Sequence, residues 1–199
     1  MKNFFTSDWH LGHEKMLRGV RGSKFNSVEE HDNTVINNIL EITKPGDNLY
    51  FLGDAFWKYT SQQVQETMIK FKKHRINLFW ILGNHDKISW TKFGVVKWAG
   101  QIKDITIEKQ LITLCHYPML VYHRSHYGGM NLYGHIHIQD HTWNVIHGDP
   151  ITRNFHDFFM GKALNVNVEL HDYKPLEFEQ VLEAVRNKPE NFDLIRRNN

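Results

Sequence analysis

Residues 76–86 read INLFWILGNHD, an apolar run that ends at a glycine and continues with an amide, an imidazole and a carboxylate. The run of isoleucine, leucine and aromatic residues predicts a buried β-strand over 76–83. A turn after such a strand explains the glycine, the amide and the carboxylate. It does not explain His85, and similar strand endings recur along the chain.

Strand and helix patterns alternate in the first half of the chain. Strands are predicted at 2–7, 48–53 and 76–83, and helices are predicted between them. These helices start at Ser27 and Thr60, each followed three residues later by Glu or Gln in capping-box spacing. The alternation predicts an α/β fold with parallel strands joined by right-handed crossovers.

The second half is predicted to be mostly β-structure, followed by a C-terminal helix that opens at Pro175. Its strands are expected at 101–108, 110–115, 130–134 and 163–170. Because so little sequence separates the first two, we expect a hairpin around Lys109.

Length and composition indicate one globular domain over residues 1–199. Hydrophobic residues make up 41% and charged residues 23%, which is near the globular norm. Residues 138–162 are expected to form an irregular insertion, a lid or an interface, and residues 189–199 a polar tail. The net charge of +2 is too small to indicate nucleic-acid binding by itself.

The cellular environment is predicted from what the sequence lacks. Cys115 is the one cysteine, which excludes a disulfide within this sequence and fits a reducing compartment. Asp8 interrupts the apolar start before it is long enough for a signal peptide. No uncharged apolar segment reaches the roughly 18 residues that span a bilayer. We therefore expect a soluble cytoplasmic protein with no membrane partner.

Five predicted strands end in metal-ligating residue types. The endings are Asp8-Trp9-His10, Gly53-Asp54, Gly83-Asn84-His85-Asp86, His116 and Gly134-His135-Ile136-His137. The carboxyl ends of strands are where sites assemble in open α/β sheets. Each motif alone is typical of a structural turn, but together they predict one metal site. Fourteen histidines and one cysteine favour nitrogen and oxygen ligands over thiolates.

This ordered set resembles the signature of the calcineurin-like metallophosphoesterases, which runs DxH, GD, GNH(D/E), a single His and GHxH. The motifs span residues 8–137, and the flanking SDWHLGH, KPGDNLYFLGD and LNVNVELHDYKPL resemble small bacterial and phage members. The resemblance implies a four-layer αββα sandwich of two mixed β-sheets flanked by helices.

The resemblance also implies two divalent metal ions, with Mn²⁺ favoured and Fe, Zn²⁺, Ni²⁺ or Mg²⁺ as alternatives. The first ion would be held by Asp8, His10 and His137, and the second by Asn84, His116 and His135, with Asp54 as the bridge. Two ions about 3.5–4 Å apart lower the pKa of a shared water and bind phosphoryl oxygens.

The predicted catalytic residues are His85 and Asp86. By resemblance, His85 would contact the phosphoryl group and protonate the leaving oxygen, and Asp86 would orient His85 by a hydrogen bond. The alternative for Asp86 is a turn or helix-cap role. His13, Arg124 and His126 are weaker candidates for substrate contacts, with ordinary loop positions as the alternative.

The expected function is metal-dependent hydrolysis of phosphodiesters or phosphomonoesters, with diesterase activity on a nucleotide or another small phosphoester favoured. One alternative is a nuclease acting on DNA or RNA, which would need a basic groove with aromatic stacking platforms. The other is a degenerate protein-binding scaffold. That alternative predicts lost ligands, and no residue of the five motifs is lost.

Overall fold

The computed structural model describes residues 1–18, 24–137 and 161–190. The predicted insertion at 138–162 therefore lies outside the described residues, apart from its last two positions. The predicted tail at 189–199 lies outside them from residue 191 onward. Among the helices of the described ranges, none has both the length and the apolar character needed to cross a bilayer.

Strands and helices alternate up to β3, and strands predominate after it. The elements are β1 (Asn3–Thr6), α1 (Glu14–Arg18), α2 (Val28–Ile42), β2 (Asn48–Phe51), α3 (Ser61–His74), β3 (Asn77–Ile81), β4 (Val96–Gly100), β5 (Ile102–Ile107), β6 (Gln110–Cys115), β7 (Met130–Tyr133), β8 (Ala163–Asn165), β9 (Leu176–Glu177) and α4 (Phe178–Val185). Short 3₁₀ helices lie at Ile88–Lys92, Ser125–Tyr127 and Val168–His171.

The first sheet has the strand order β4-β3-β2-β1-β9. Its β1, β2 and β3 pair in parallel, as the strand–helix alternation predicts. β4 also pairs parallel with β3, whereas β9 pairs antiparallel with β1. Because side chains alternate across a strand, Phe4 and Leu49 join the core beside α2 and α3. Phe5 and Tyr50 join the core between the two sheets.

The second sheet has the order β5-β6-β7-β8. The predicted hairpin is confirmed: β5 and β6 pair antiparallel, and Glu108 and Lys109 turn with φ of 49° and 69°. Positive φ at both central residues is typical of a type I′ hairpin turn. β6, β7 and β8 are parallel, so both sheets are mixed. The fold is thus mixed α/β, with two mixed sheets flanked by helices.

The C-terminal part differs most from the sequence-based expectation. The strand predicted at 163–170 ends at Asn165, because Asn165 and Asn167 use their side-chain oxygens to accept from backbone N–H groups. A 3₁₀ turn at Val168–His171 follows. The last helix starts at Phe178 and not at Pro175, since Leu176–Glu177 first pairs with β1.

Two smaller predictions also change. The capping box at Thr60 and Gln63 is confirmed, but at Ser27 only one of its two bonds forms. The carboxylate of Glu30 accepts instead from Asn26. The strand β4 was not predicted from the sequence, where its alternation is interrupted by small residues.

Candidate metal centre

The ends of β1 and β2 run side by side into the site. The Asp8 N–H donates to the Gly53 carbonyl at 2.8 Å, and the His10 N–H donates to the Asp54 carbonyl at 2.9 Å. The His135 N–H, just beyond β7, donates to the Asp8 carboxylate at 3.0 Å. The site therefore lies at the carboxyl ends of strands from both sheets, which is where the sequence predicted it.

Four predicted ligands have left-handed backbone conformations. The φ angles are 56° at Asp8, 47° at His10, 62° at Asp54 and 68° at His135. A non-glycine residue in this region costs on the order of 1–2 kcal/mol. Such strain persists where the surrounding structure fixes it, and it concentrates at functional sites. Here the left-handed backbone directs each of the four side chains toward the site shortly after its strand ends.

Asp8, His10 and His137 form the first of two clusters, which we call the first half-site. One ligand atom from each residue lies within 4.8 Å of those of the other two. The Nε2 atoms of His10 and His137 are 3.1 Å apart, and His137 Nε2 lies 3.5 Å from Asp8 Oδ1. Asp8 and His10 are buried, and His137 is partly buried.

Asp54, His116 and His135 form the second half-site, again with ligand atoms within 4.8 Å of one another. His116 Nε2 lies 3.4 Å from Asp54 Oδ2 and 3.2 Å from Asn84 Oδ1. Asp54 Oδ2 is also 3.7 Å from His10 Nε2 in the first half-site. One carboxylate oxygen therefore faces both clusters, and all seven predicted ligands are brought together.

The tautomers that the hydrogen bonds favour suit a bound cation. His116 donates from Nδ1 to the Leu52 carbonyl at 2.7 Å, so the Nε2 lone pair of the neutral ring faces Asp54 and Asn84. His137 likewise places Nδ1 3.0 Å from the Glu169 carboxylate. In both clusters electron-pair donors converge, which is stable when a positive ion lies between them. Imidazole, carboxylate and amide donors fit divalent metals.

The pKa values of the site residues also favour a bound cation. Burial disfavours the charged form of Asp54, but a protonated His116 and the His85 N–H outweigh burial and lower the pKa of Asp54 to about 2. Burial likewise opposes the charged form of His116, but Asp54 and Asp8 outweigh it and raise the pKa of His116. A metal ion between the two side chains would take the place of the His116 proton and leave the neutral ring as its ligand. Burial raises the pKa of Asp8, and burial together with the nearby His116 lowers the pKa of His135. A bound cation would offset the cost of burying Asp8, and a neutral His135 is the ligating form.

Family membership follows from the sequence match over this fold. Residues 1–195 match the family model described as calcineurin-like phosphoesterase. The chain belongs to this family. The resemblance stated from the five motifs is confirmed, and calcineurin-like phosphoesterases bind divalent metal ions.

One curated relative and one solved structure are similar to this calcineurin-like phosphoesterase over nearly the whole chain. The uncharacterized protein MJ1445 of Methanocaldococcus jannaschii is 26% identical over 184 residues, which are 92% of this chain and 91% of the relative. The crystal structure of AQ665 from Aquifex aeolicus, a protein of unknown function, is similar with a TM-score of 0.67 at 22% identity. That match covers 92% of this chain and 99% of AQ665, and it shows a common fold.

Asp86 occupies a different position from the one expected. Its carboxylate accepts from the indole N–H of Trp80 and from the backbone N–H groups of Asp54, Ala55 and Gly83, all at 2.9–3.0 Å. The ring of His85 is not among these donors. Burial raises the pKa of Asp86, and the N–H donors oppose that rise. Asp86 therefore holds together the chain segments after β2 and β3, and the expected hydrogen bond to His85 is replaced by these contacts.

His85 lies at the exposed edge of the site. Its backbone N–H donates to Asp54 Oδ1 at 3.0 Å, which ties the residue to the shared carboxylate. Its ring packs edge-on against Trp57 at 4.5 Å and lies 5.8 Å from the ring of His10. His13 stacks flat on Trp57 at 4.0 Å. His85, Trp57 and His13 together form an aromatic wall beside the first half-site.

The other two candidate substrate contacts lie in a separate turn. Arg124 has its guanidinium 5.7 Å above the ring of Tyr127, and His126 packs against the same ring at 4.2 Å. Both residues are exposed. These described contacts are local to residues 124–127, and a substrate role for either residue stays a prediction.

Two contributors were not found from the sequence. Glu169 contacts His137 Nδ1, the arrangement in which an outer carboxylate orients a ligating histidine. Trp57 contacts both His13 and His85. The sequence signal for Glu169 was its place in LNVNVELHDYKPL, a segment noted only for its resemblance. Trp57 lies three residues after Asp54, and this proximity was its only signal.

Two motif glycines allow the close approaches within the site. A Cβ added at Gly83 would collide with the Asp54 side chain. A Cβ added at Gly134 would collide with the Asp8 carboxylate and with the Ser7 hydroxyl, which itself donates to Asp8 at 2.5 Å. Glycine is required here because there is no room for a side chain, and neither residue has a positive φ.

Proposed function

We propose that this calcineurin-like phosphoesterase hydrolyses phosphodiester bonds in a nucleotide or another small phosphoester. The observation that carries the proposal is the pair of half-sites that share Asp54 Oδ2, with an exposed His85 beside them. Asp8, His10 and His137 would hold one divalent ion and Asn84, His116 and His135 the other, with Mn²⁺ favoured. When bound, the two ions supply Lewis-acid stabilisation of the phosphoryl oxygens and an acidified water.

His85 is the proposed proton donor to the leaving oxygen. Its ring is exposed at the site, and the edge contact with Trp57 restricts its orientation. The hydrogen bond from its backbone N–H to Asp54 keeps the residue next to the shared carboxylate. A positioned imidazole contributes roughly 10²–10⁴-fold by general acid–base catalysis.

The preference for a diester is a proposal about the substrate, and a phosphomonoester or a polynucleotide substrate remains as an arm of the test.

A substrate panel tests the proposal. The purified protein is assayed with bis-aryl and mono-aryl phosphates, 2′,3′- and 3′,5′-cyclic nucleotides and single-stranded DNA, each with Mn²⁺, Ni²⁺, Zn²⁺ or Mg²⁺. We expect the highest kcat/KM with a small diester and Mn²⁺. Faster turnover of mono-aryl phosphates or of DNA would overturn the substrate class. Absence of metal-dependent hydrolysis in every arm would overturn the function.

The role of His85 is tested by His85→Ala with His123→Ala as the matched control. His123 is also an exposed histidine, but its described partner is Asp104 outside the half-sites. We expect His85→Ala to lower kcat by about 10²–10⁴-fold while the bound metal stays unchanged. His123→Ala should retain the wild-type rate. Loss of metal from His85→Ala would show that His85 is a ligand and would contradict its assignment.

A further inference from the structure

A cavity of about 340 Å³ opens beside the second half-site. This volume falls in the range of roughly 300–1,000 Å³ that small-molecule sites occupy. Its principal lining residues are Leu82, Asn84, Ile88, Gln101, Ile102 and Tyr117. Gly83, Asn84 and Asp86 of one motif form its inner edge, but Ile88, Gln101, Ile102 and Tyr117 belong to none of the five motifs.

Three apolar side chains of the cavity are exposed to solvent. The exposed fractions are 61% for Ile88, 54% for Ile102 and 45% for Tyr117. Single exposed apolar residues are common, but three of them around one cavity form a patch of the kind that binds ligands. Ligand binding would remove this apolar surface from water, which is favourable.

The cavity is continuous with the metal centre. Asn84 lines it, and Asn84 Oδ1 lies 3.2 Å from His116 Nε2. The ring of Tyr117 lies 5.1 Å from the ring of His116 and 4.8 Å from that of His135. A phosphoryl group at the second half-site would therefore extend an ester substituent directly into this space.

The chemistry of the walls selects the kind of substituent. Among the lining residues described, the one charged side chain is Asp86, and its oxygens already accept from N–H groups of the protein. The remaining polar groups include the side-chain amides of Asn84 and Gln101. Walls that combine apolar side chains with amide groups suit an uncharged planar ring, which offers flat faces and a hydrogen-bonding edge.

We propose that this cavity is the subsite for an uncharged planar ring carried by the phosphoester substrate. The inference rests on the proposed function, because it places the phosphoryl group at the half-sites. It adds a specificity determinant, formed by Ile88, Ile102 and Tyr117, that discriminates between substrates by their organic part.

Calorimetric binding of two phosphonates to the Mn²⁺-loaded protein tests the subsite. Phenylphosphonate and methylphosphonate present the same anionic group and differ in the ring. We expect phenylphosphonate to bind about tenfold more tightly. The double variant Ile88→Ser/Ile102→Ser should lose most of that preference and keep its affinity for methylphosphonate. The control Ile69→Ser changes a 39% exposed isoleucine on α3 and should leave both affinities unchanged.

The outcomes separate this subsite from other roles of the patch. An unchanged phenyl preference in the double variant would overturn the proposal. If that result came with dissociation of a dimer, the patch would be an interface between copies. If it came with a lower unfolding temperature, the patch would pack against another part of the chain. Failure of both phosphonates to bind the wild-type protein would instead count against the proposed function.

Discussion

The two half-sites hold their histidines by different means. In the first half-site, His137 contacts the Glu169 carboxylate through Nδ1 at 3.0 Å. In the second, His116 donates from Nδ1 to the Leu52 carbonyl at 2.7 Å. A carboxylate partner makes a ligating imidazole more basic than a neutral carbonyl does. Glu169 can be replaced by mutation, whereas the Leu52 carbonyl belongs to the backbone.

The two half-sites also differ in how far their side chains are exposed to solvent. None of the three residues of the first half-site is exposed, whereas His135 of the second half-site is exposed, and so is Asn84 beside His116. The first half-site lies beside the aromatic wall, and the second opens into the cavity lined by Ile88, Ile102 and Tyr117. From this comparison we propose that the first half-site retains a metal ion and that the second meets the substrate. We therefore expect the first half-site to bind its ion more tightly.

The largest effect is expected from Asp54→Asn, which removes the feature that the two half-sites share. Asp54 Oδ2 lies 3.7 Å from His10 Nε2 and 3.4 Å from His116 Nε2. Both metals should bind more weakly, and kcat/KM should fall by more than about 100-fold, since even outer partners of ligands contribute about 10–100-fold. Elemental analysis measures the bound metal, and steady-state kinetics measure kcat/KM.

Asp104→Asn is the matched control for Asp54→Asn. Asp104 also pairs with a histidine, His123, but at an exposed position outside the site. Its metal content should equal that of the wild type. Full metal occupancy in Asp54→Asn would rule out the bridging role.

The next effect concerns Gly134→Ala, which breaks the first half-site by crowding. The added methyl group would collide with the Asp8 carboxylate and the Ser7 hydroxyl, so Asp8 must shift. We expect a loss of roughly 1–3 kcal/mol in the free energy of unfolding and weaker metal binding. Gly94→Ala is the control, because its added Cβ meets no atom within 4 Å. Equal metal affinity and stability in the two variants would show that Gly134 is not required for packing.

Glu169→Gln sharpens the comparison, because it changes one half-site alone. Replacing the carboxylate beside His137 should weaken metal binding in the first half-site by about 10–100-fold and leave the second unchanged. The two-step isotherm of Mn²⁺ titration into metal-free protein measures both affinities. Glu179→Gln, at an exposed position of α4, should alter neither step. A uniform weakening of both steps would contradict independent support of the half-sites.

The smallest effect on metal binding is expected from Asp86→Asn. The change leaves an amide group facing N–H donors from Trp80, Gly83 and the chain after β2. The free energy of unfolding should fall by roughly 1–3 kcal/mol, because buried donors lose their acceptor. Denaturant unfolding measures this free energy, and steady-state kinetics measure kcat. A 100-fold loss of kcat without loss of stability would restore the expected role of Asp86 in orienting His85.

The sequence was sufficient to bring the seven candidate ligands to one edge because their motifs are local. Each of the five motifs directly follows an apolar strand, so strand prediction also places its side chains at one edge. The parallel β1, β2 and β3 followed from alternation, which is likewise a local pattern. These parts of the fold and site needed no knowledge of distant contacts.

The features that the sequence missed depend on tertiary contacts. Leu176–Glu177 is too short to be recognised as a strand and exists by pairing with β1. Glu169 reaches His137 because side-chain acceptors at Asn165 and Asn167 end β8 early and favour a 3₁₀ turn. Asp86 finds its donors on segments that only folding brings together. No spacing rule along the chain predicts such partners.

The most direct measurement of the central claim is anomalous diffraction from crystals of this calcineurin-like phosphoesterase soaked with Mn²⁺. We expect two peaks, one among Asp8, His10 and His137 and one among Asn84, His116 and His135, with Asp54 contacting both. At low Mn²⁺ the first peak should be the stronger. A single peak, or peaks away from these residues, would contradict a binuclear centre in which the first half-site binds its ion more tightly than the second.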